Sequence, residues 1–449
     1  MTEPPFEQMQ PPTPPPPPPF DPAGQWETLG PAATEQVRPR GRGRTAGVLA
    51  AVVAVAAGAT VSYVALSDTS AHHGASSPQA AVQTIVDDIN RSDLIGVLDD
   101  LAPGERDAIV TPFTDIVNQL KRSEVLQASA DPSKVTGLQV SLTGLTFTGA
   151  PLKVNDHVSV VQITGGTLHV SADARRVPFT RAFLDAAFPG GSLSGSSSQT
   201  IDIAQQVRDH GGAPVRVAAQ QVDGGWYPSI FYTAADSAAN HRIPAASDAV
   251  AAHGAMSAAE AVKQAVSALL TADYRTAIAL LSPNELAAVH DYAGLILQHA
   301  PTTTAPVHLE DLQLTTTPDG ADHAKITLRS VSLTTDSGEH VSVSIDGSCV
   351  TATAGDKTQH MCAADLVTTL ESFLNSVNIN TALTGAQQRA VTDLLSTAYQ
   401  TGVVTEFVGG SWFVAPVRSV LEVYATILSG LQGDDAIQLA TLVRTIAGH

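Results

Sequence analysis

The 29 residues SPQAAVQTIVDDINRSDLIGVLDDLAPGE, from Ser77 to Glu105, align without a gap on SAAEAVKQAVSALLTADYRTAIALLSPNE, from Ser257 to Glu285, 180 residues further along. Ala81 meets Ala261, Val82 meets Val262, Val86 meets Val266, Asp93 meets Asp273, Leu101 meets Leu281, Pro103 meets Pro283 and Glu105 meets Glu285. Val82, Ile85, Val86 and Ile89 keep the three-and-four spacing of an amphipathic helix, as do their counterparts. Ser77 and Ser257 stand where an N-cap is needed. Pro103 and Pro283 restart the chain after a second short helix, each followed by an acid suited to a first helical turn.

Downstream of each helical stretch the hydrophobic period changes to two, in VTGLQVSLTGLTF and HVSVVQITGGTLHV of the first copy and in PVHLEDLQLTT and HAKITLRSVSLTT of the second. These read as antiparallel strands. Each copy closes on a related motif, VDGGWYPS at Val222–Ser229 and VGGSWFVA at Val408–Ala415. A Gly-containing turn followed by an aromatic pair predicts a hairpin whose last strand carries Trp226 or Trp412 into the core. Tyr227 and Phe413 complete the two pairs, and strand alternation lets one residue of each face an interior pocket while the other packs elsewhere. The chain of 449 residues therefore reads as one α+β domain written twice, over 77–238 and 257–449, joined by a linker at 239–256. Extra segments precede each closing strand: PFTRAFLDAAF in the first copy, and in the second a cysteine loop followed by ADLVTTLESFLN and AQQRAVTDLLSTAYQ, both of helical period. Two further amphipathic helices are predicted over Pro416–Leu431 and Asp434–Ile446.

The first 46 residues have a different character. They contain PPTPPPPPPF, which favours extended polyproline II and cannot build a core, so 1–46 is read as a disordered Pro-rich tail. Such a run can dock a cytoplasmic partner with an aromatic-lined groove. Gly47–Leu66 carries no charge over 20 residues, enough for one transmembrane helix, and Arg38–Arg44 lies just before it. By the positive-inside bias this predicts a single-pass protein of the cell membrane with a cytoplasmic N-terminus, a short linker at 67–76 and residues 67–449 extracytoplasmic.

Net charge is −19, and all but one unit of it falls after residue 46, a balance that repels phosphate backbones and excludes nucleic acid as a partner. The only two cysteines, Cys349 and Cys362, are close in sequence and read as a disulfide. A metal site of Cys349, His360 and Cys362 is the rival reading, and no fourth ligand stands at a recognisable spacing. Asp93 and Asp273 recur at matched positions as caps of the next helix. Asp87–Asp88 and Asp99–Asp100 look like paired carboxylates, but helix neighbours do not face each other, and a solvated face is expected. His157 and His323 border strand turns. No nucleophile elbow, metalloprotease motif or phosphate loop appears, so no catalytic residue, metal ligand or cofactor-binding residue is assigned.

Two helices and a third, then strands, then a final strand with a Gly-turn-Trp-aromatic signature, resemble the nuclear-transport-factor-2-like, or cystatin-like, superfamily. The whole chain resembles actinobacterial single-pass envelope proteins with tandem domains of that kind. The resemblance implies two cone-like domains, each with N-terminal helices packed on a curved antiparallel sheet, used either as a small-molecule pocket or as a protein-binding surface. The expectation is a non-enzymatic, membrane-anchored binding or scaffold protein of the bacterial envelope, holding an envelope protein or small ligand through residues 77–449. The alternative is an enzyme or small-molecule sensor with an apolar pocket in one cone, lined by Trp226, Tyr227, Trp412 or Phe413.

Overall fold

Ser77 starts the described helices as the sequence requires: its hydroxyl accepts a hydrogen bond from the Ala80 amide at 3.2 Å, and Pro78 occupies the first turn. The computed structural model describes residues 74–130, 137–188, 190, 195–301, 307–376 and 382–447. Helix α1 (Pro78–Arg91) buries Ala81, Val82, Ile85 and Val86, the predicted apolar face. It ends at Ser92, whose left-handed backbone (φ 57°) turns the chain into α2 (Leu94–Asp99). Asp93 caps α2 through the Gly96 amide at 3.0 Å. Helix α3 (Pro103–Arg122) follows.

The first sheet is built around one long strand. β3 (Val158–Asp173) pairs along one edge with β1 (Leu138–Phe147), and its start also carries the short β2 (Leu152–Lys153). Along its other edge its first half pairs with β5 (Val215–Val222) and its second half with β4 (Ser196–Asp202). β6 (Gly225–Ser229) closes the hairpin with β5. Helix α4 (Arg181–Ala187) precedes β4, α5 (Ile203–Asp209) follows it, and α6 (Ile230–Ala238) leaves the closing strand.

The second copy repeats this plan. α7 (Ala258–Leu270), α8 (Tyr274–Ala279) and α9 (Pro283–Asp291) correspond to α1–α3, and α10 (Ala293–Leu297) is added. Ala272 repeats the left-handed turn of Ser92 at φ 55°. β8 (His323–Thr335) is the long central strand, flanked by β7 (Val307–Asp319) on one edge and by β12 (Val403–Val408) and β9 (His340–Asp346) on the other. β13 (Ser411–Val414) closes it. Register shifts in β1 and in β7, each a bulge that bends a long ribbon, accompany the curvature of both sheets.

What distinguishes the second copy is what lies between β9 and β12. β10 (Cys349–Ala354) and β11 (Lys357–Cys362) extend the sheet into an arm, and α11 (Ala363–Ser376) and α12 (Gly385–Ala398) follow. These helices share a core with α14 (Asp435–Ala447) through Val367, Leu374, Val391 and Leu442. α13 (Pro416–Ser429) reaches back along α3, and its Val417 and Leu421 pack against the first copy's core of Val82, Ile109, Phe113 and Ile163. The connecting residues 239–256 are docked as well: the Val250 amide donates to the His290 carbonyl at 3.0 Å.

One expectation is corrected. Among the described residues no helix is long and apolar enough to cross a membrane. The predicted span Gly47–Leu66, like the tail 1–46, lies outside the described residues. The longest described helix, α3, shows why: Glu105, Arg106, Asp107, Asp115, Lys121 and Arg122 make it amphipathic, with one face for the protein core and none for lipid. The fold is α+β with curved antiparallel sheets, and neither the single-pass membrane helix nor the cell-membrane location expected from the sequence is supported.

Candidate functional site

The closing strands carry the aromatics singled out in the sequence. Trp412 is half-buried, packs against Ala258, Val262 and Leu280, and lies 5.3 Å from the Phe407 ring between centroids. Phe413 is buried. Trp226 and Tyr227 are half-buried, and the Tyr227 hydroxyl accepts from the Gly74 amide at 2.9 Å. Trp412 thus serves packing and Tyr227 holds the entering chain.

The contact at Gly74 recurs in the second copy. Ala75 and Trp226 exchange two backbone hydrogen bonds of 2.8 Å, and so do Ala255 and Trp412. A Cβ on Gly74 would lie 2.6 Å from the Tyr227 ring, and one on Gly254 would lie 2.8 Å from the Phe413 ring. The repeat therefore begins before its helices. HGA at 73–75 and at 253–255 is the sequence signal for it, set in stretches whose composition is that of linkers.

Glu105 and Glu285, paired in the alignment, are both 3% exposed. Glu105 accepts from the Ser229 hydroxyl and from the Ile230 amide at 2.7 Å, which holds it on the first turn of α6. Glu285 accepts from the Val417 and Arg418 amides at 2.9 and 3.1 Å, on the first turn of α13. Each carboxyl thus satisfies helix-start amides that have no partner within their own helix. Burial pushes both up to about 7, against the pull of those donors. The sequence had placed them in the first turn of their own helices; their service to a helix more than a hundred residues away follows from the topology.

A third cluster joins the copies. Asp291 of α9 accepts from Tyr232 Oη at 2.5 Å and from Asn155 Nδ2 at 2.6 Å, and lies 3.2 Å from His157 Nε2, all on its Oδ2. Burial, then the neighbouring carboxylate, drives the Tyr232 hydroxyl well above the usual tyrosine range, so it stays a donor. His157 with Asp291 has the makings of an acid–base pair, but the carboxylate oxygen facing the imidazole already accepts from Tyr232 and Asn155. His323, by contrast, sits beside Arg418, and burial and that charge hold its imidazole below the usual range.

Of the carboxylate pairs, Asp87 is exposed as expected, whereas Asp88 is buried, pairs with Arg91 and lies over Gly96. Asp100 is half-buried rather than solvated, and burial with Asp99 beside it raises its carboxyl to about 6. Cys349 and Cys362 form a disulfide across β10 and β11. An open cleft of about 470 Å³ lies beside α8, lined by Asp273, Tyr274, Arg275 and Leu297. Asp273 there caps α8 through the Thr276 amide at 3.1 Å.

The arm formed by β9, β10 and β11 has no buried residue. Its register aligns Leu333 with Val341 and Ala354, Val331 with Val343 and Ala352, and Ile345 with Val350 and Met361, so one face is an apolar ladder. The opposite face carries Ser342, Ser344, Thr351, His360 and the disulfide. No protein-family model matches the chain, and neither a curated protein nor a solved structure is significantly similar to it.

Proposed function

We propose that this chain is a non-enzymatic binding or scaffold protein that holds a protein partner on the apolar face of the second copy's sheet arm. The observation that carries the reading is the ladder from Val331 and Leu333 through Val341, Val343, Ile345 and Val350 to Met361, apolar and nowhere buried. A contiguous apolar face of this kind marks an interaction surface. The fate of the buried charges supports it further. Glu105 and Glu285 are bound to helix starts, Asp88 to Arg91, Asp236 to Arg216 at 2.8 Å, and His290 to two backbone carbonyls. A general acid or base needs a substrate within reach, and these groups are occupied by their own chain. The net charge of −19 selects against nucleic acid and for a cationic partner rim.

Helices on a curved sheet with a Trp-bearing closing strand also support reading each copy as nuclear-transport-factor-2-like. The Pro-rich run of the tail is read as a second, separate dock for an aromatic-lined groove. The rival, an enzyme or small-molecule sensor, draws on the half-exposed His157–Asp291 pair. Cross-linking in producing cells decides between them, comparing the intact chain with V343D and V350D variants. A partner captured by the intact chain and lost in both variants is expected. Turnover of a small substrate that disappears in Asp291→Asn, with capture unaffected by either arm variant, would overturn the proposal.

A further inference from the structure

We propose that the end of the sheet arm is a redox-gated metal site, in which reduction of the Cys349–Cys362 disulfide frees two thiolates that, with His360, bind one zinc-class divalent cation. Cys349 faces Cys362 across β10 and β11, and Thr351 faces His360 one step along the same face. Alternation along a strand puts all four side chains together. Among the described residues Cys349, His360 and Cys362 bring their ligand atoms within 4.8 Å of one another. His360 Nε2 lies 3.4 Å from Cys362 Sγ, while its Nδ1 is held by Thr351 Oγ1 at 2.9 Å. That second contact orients the ring with Nε2 toward the sulfurs, the arrangement by which outer-shell partners fix a metal-binding imidazole.

The chemistry needs from outside the site only a dithiol reductant, the divalent ion and solvent water to take up the two thiol protons the ion displaces. The dithiol supplies two electrons and two protons, the S–S bond breaks, two S–H bonds form, and the reductant leaves as its own disulfide. A divalent ion then displaces the two thiol protons and takes the neutral imidazole as third ligand. With Zn–S bonds of about 2.3 Å and tetrahedral geometry, the sulfurs need to part to only about 3.7 Å. Six consecutive residue pairs from Cys349–Cys362 to Ala354–Lys357 hold the two strands in register without the bridge. His360 is exposed and both cysteines are half-buried, which leaves room for a water as fourth ligand. Two thiolates and an imidazole select zinc, cobalt or cadmium over magnesium and calcium. The disulfide and metal readings of these cysteines are then two states of one site.

The test uses the full chain reduced by a phosphine and titrated with Co²⁺, followed by thiolate-to-metal charge-transfer absorption, a signal the other histidines cannot give. One equivalent is expected to bind the reduced chain and none the oxidised chain. Cys349→Ser is expected to abolish the band, and His360→Ala and Thr351→Val each to weaken affinity about 10-fold or more. Amide exchange of residues 349–362 in the reduced chain, with and without the ion, reports whether the hairpin persists. A reduced chain without the band, or His360→Ala with unchanged affinity and spectrum, would overturn the proposal and leave the disulfide a structural staple. So would a hairpin that frays on reduction and is not restored by the ion.

Discussion

Tyr232 of the first copy donates its phenolic hydrogen to Asp291 of the second at 2.5 Å. The ring is 1% exposed, between Val158, Val160 and Tyr292, so the hydroxyl relies on that carboxylate, with His157 Nε2 farther off at 3.4 Å. Asp291→Ala removes the short acceptor and leaves the hydroxyl only its longer contact with His157 Nε2 at 3.4 Å, and is expected to cost about 1–3 kcal/mol in urea unfolding. Tyr232→Phe removes donor and need together and is expected to cost less. A double-mutant cycle in which the two changes add without coupling would show that the copies are not latched here.

The paired glutamates set a pH dependence whose sign can be worked out. Each has a folded value near 7 against an ordinary 4.5, so the folded chain holds the extra proton between those values. Their contribution is fully present below about pH 4.5 and is lost as pH rises through 7, at most about 3 kcal/mol for each. Asp100, raised to about 6, acts in the same direction over a narrower range. The melting temperature of wild type is expected to fall between pH 5 and 8, and Glu105→Gln with Glu285→Gln to flatten that fall. An unchanged slope in the double variant would assign the dependence elsewhere.

Gly254→Ala puts a methyl 2.7 Å from the Trp412 carbonyl oxygen and 2.8 Å from the Phe413 ring. Such overpacking is expected to cost about 1–3 kcal/mol. Gly74→Ala meets the Tyr227 ring and the Gly225 backbone and should behave alike. Gly409→Ala serves as a control that separates crowding from backbone conformation, because no atom lies within 4 Å of its Cβ position while its φ is positive.

Ala272 holds a left-handed backbone without being glycine. That conformation costs an L-residue roughly 1–2 kcal/mol, part of which glycine gives back as unfolded-chain entropy. Ala272→Gly is expected to stabilise the chain by about 0.5 kcal/mol, measurable as a shift in the urea midpoint at constant slope.

Much of this architecture was written in local pattern. The alternation in HVSVVQITGGTLHV and HAKITLRSVSLTT marked the two central strands, and the period of ADLVTTLESFLN marked α11, because each face is buried by one neighbour and the sequence records which. Ser77, Ser257, Asp93 and Asp273 announced their helix starts for the same reason: a cap acts within three residues. What stayed hidden is non-local. Nothing near Glu105 tells that it will receive the start of α6, or near Val417 that it will enter the other copy's core. Asp88 and Asp100 misled because composition shows a carboxylate without showing which way its helix turns. The arm's register was likewise invisible, since β9, β10 and β11 can slip against each other in sequence but not once β8 fixes the ladder.

The placement of α13 against α3 bears on the order of synthesis. A ribosome that has released the first copy has not yet made the residues that cover it, since Val417 and Leu421 emerge more than 170 residues after α6 ends. Throughout that interval the part of α3 and of the first copy's core that Val417 and Leu421 pack against must wait uncovered, a period in which a nascent chain is most open to chaperones and to wrong contacts. Two halves alike in plan are thus unequal in autonomy, the earlier one completed by the later.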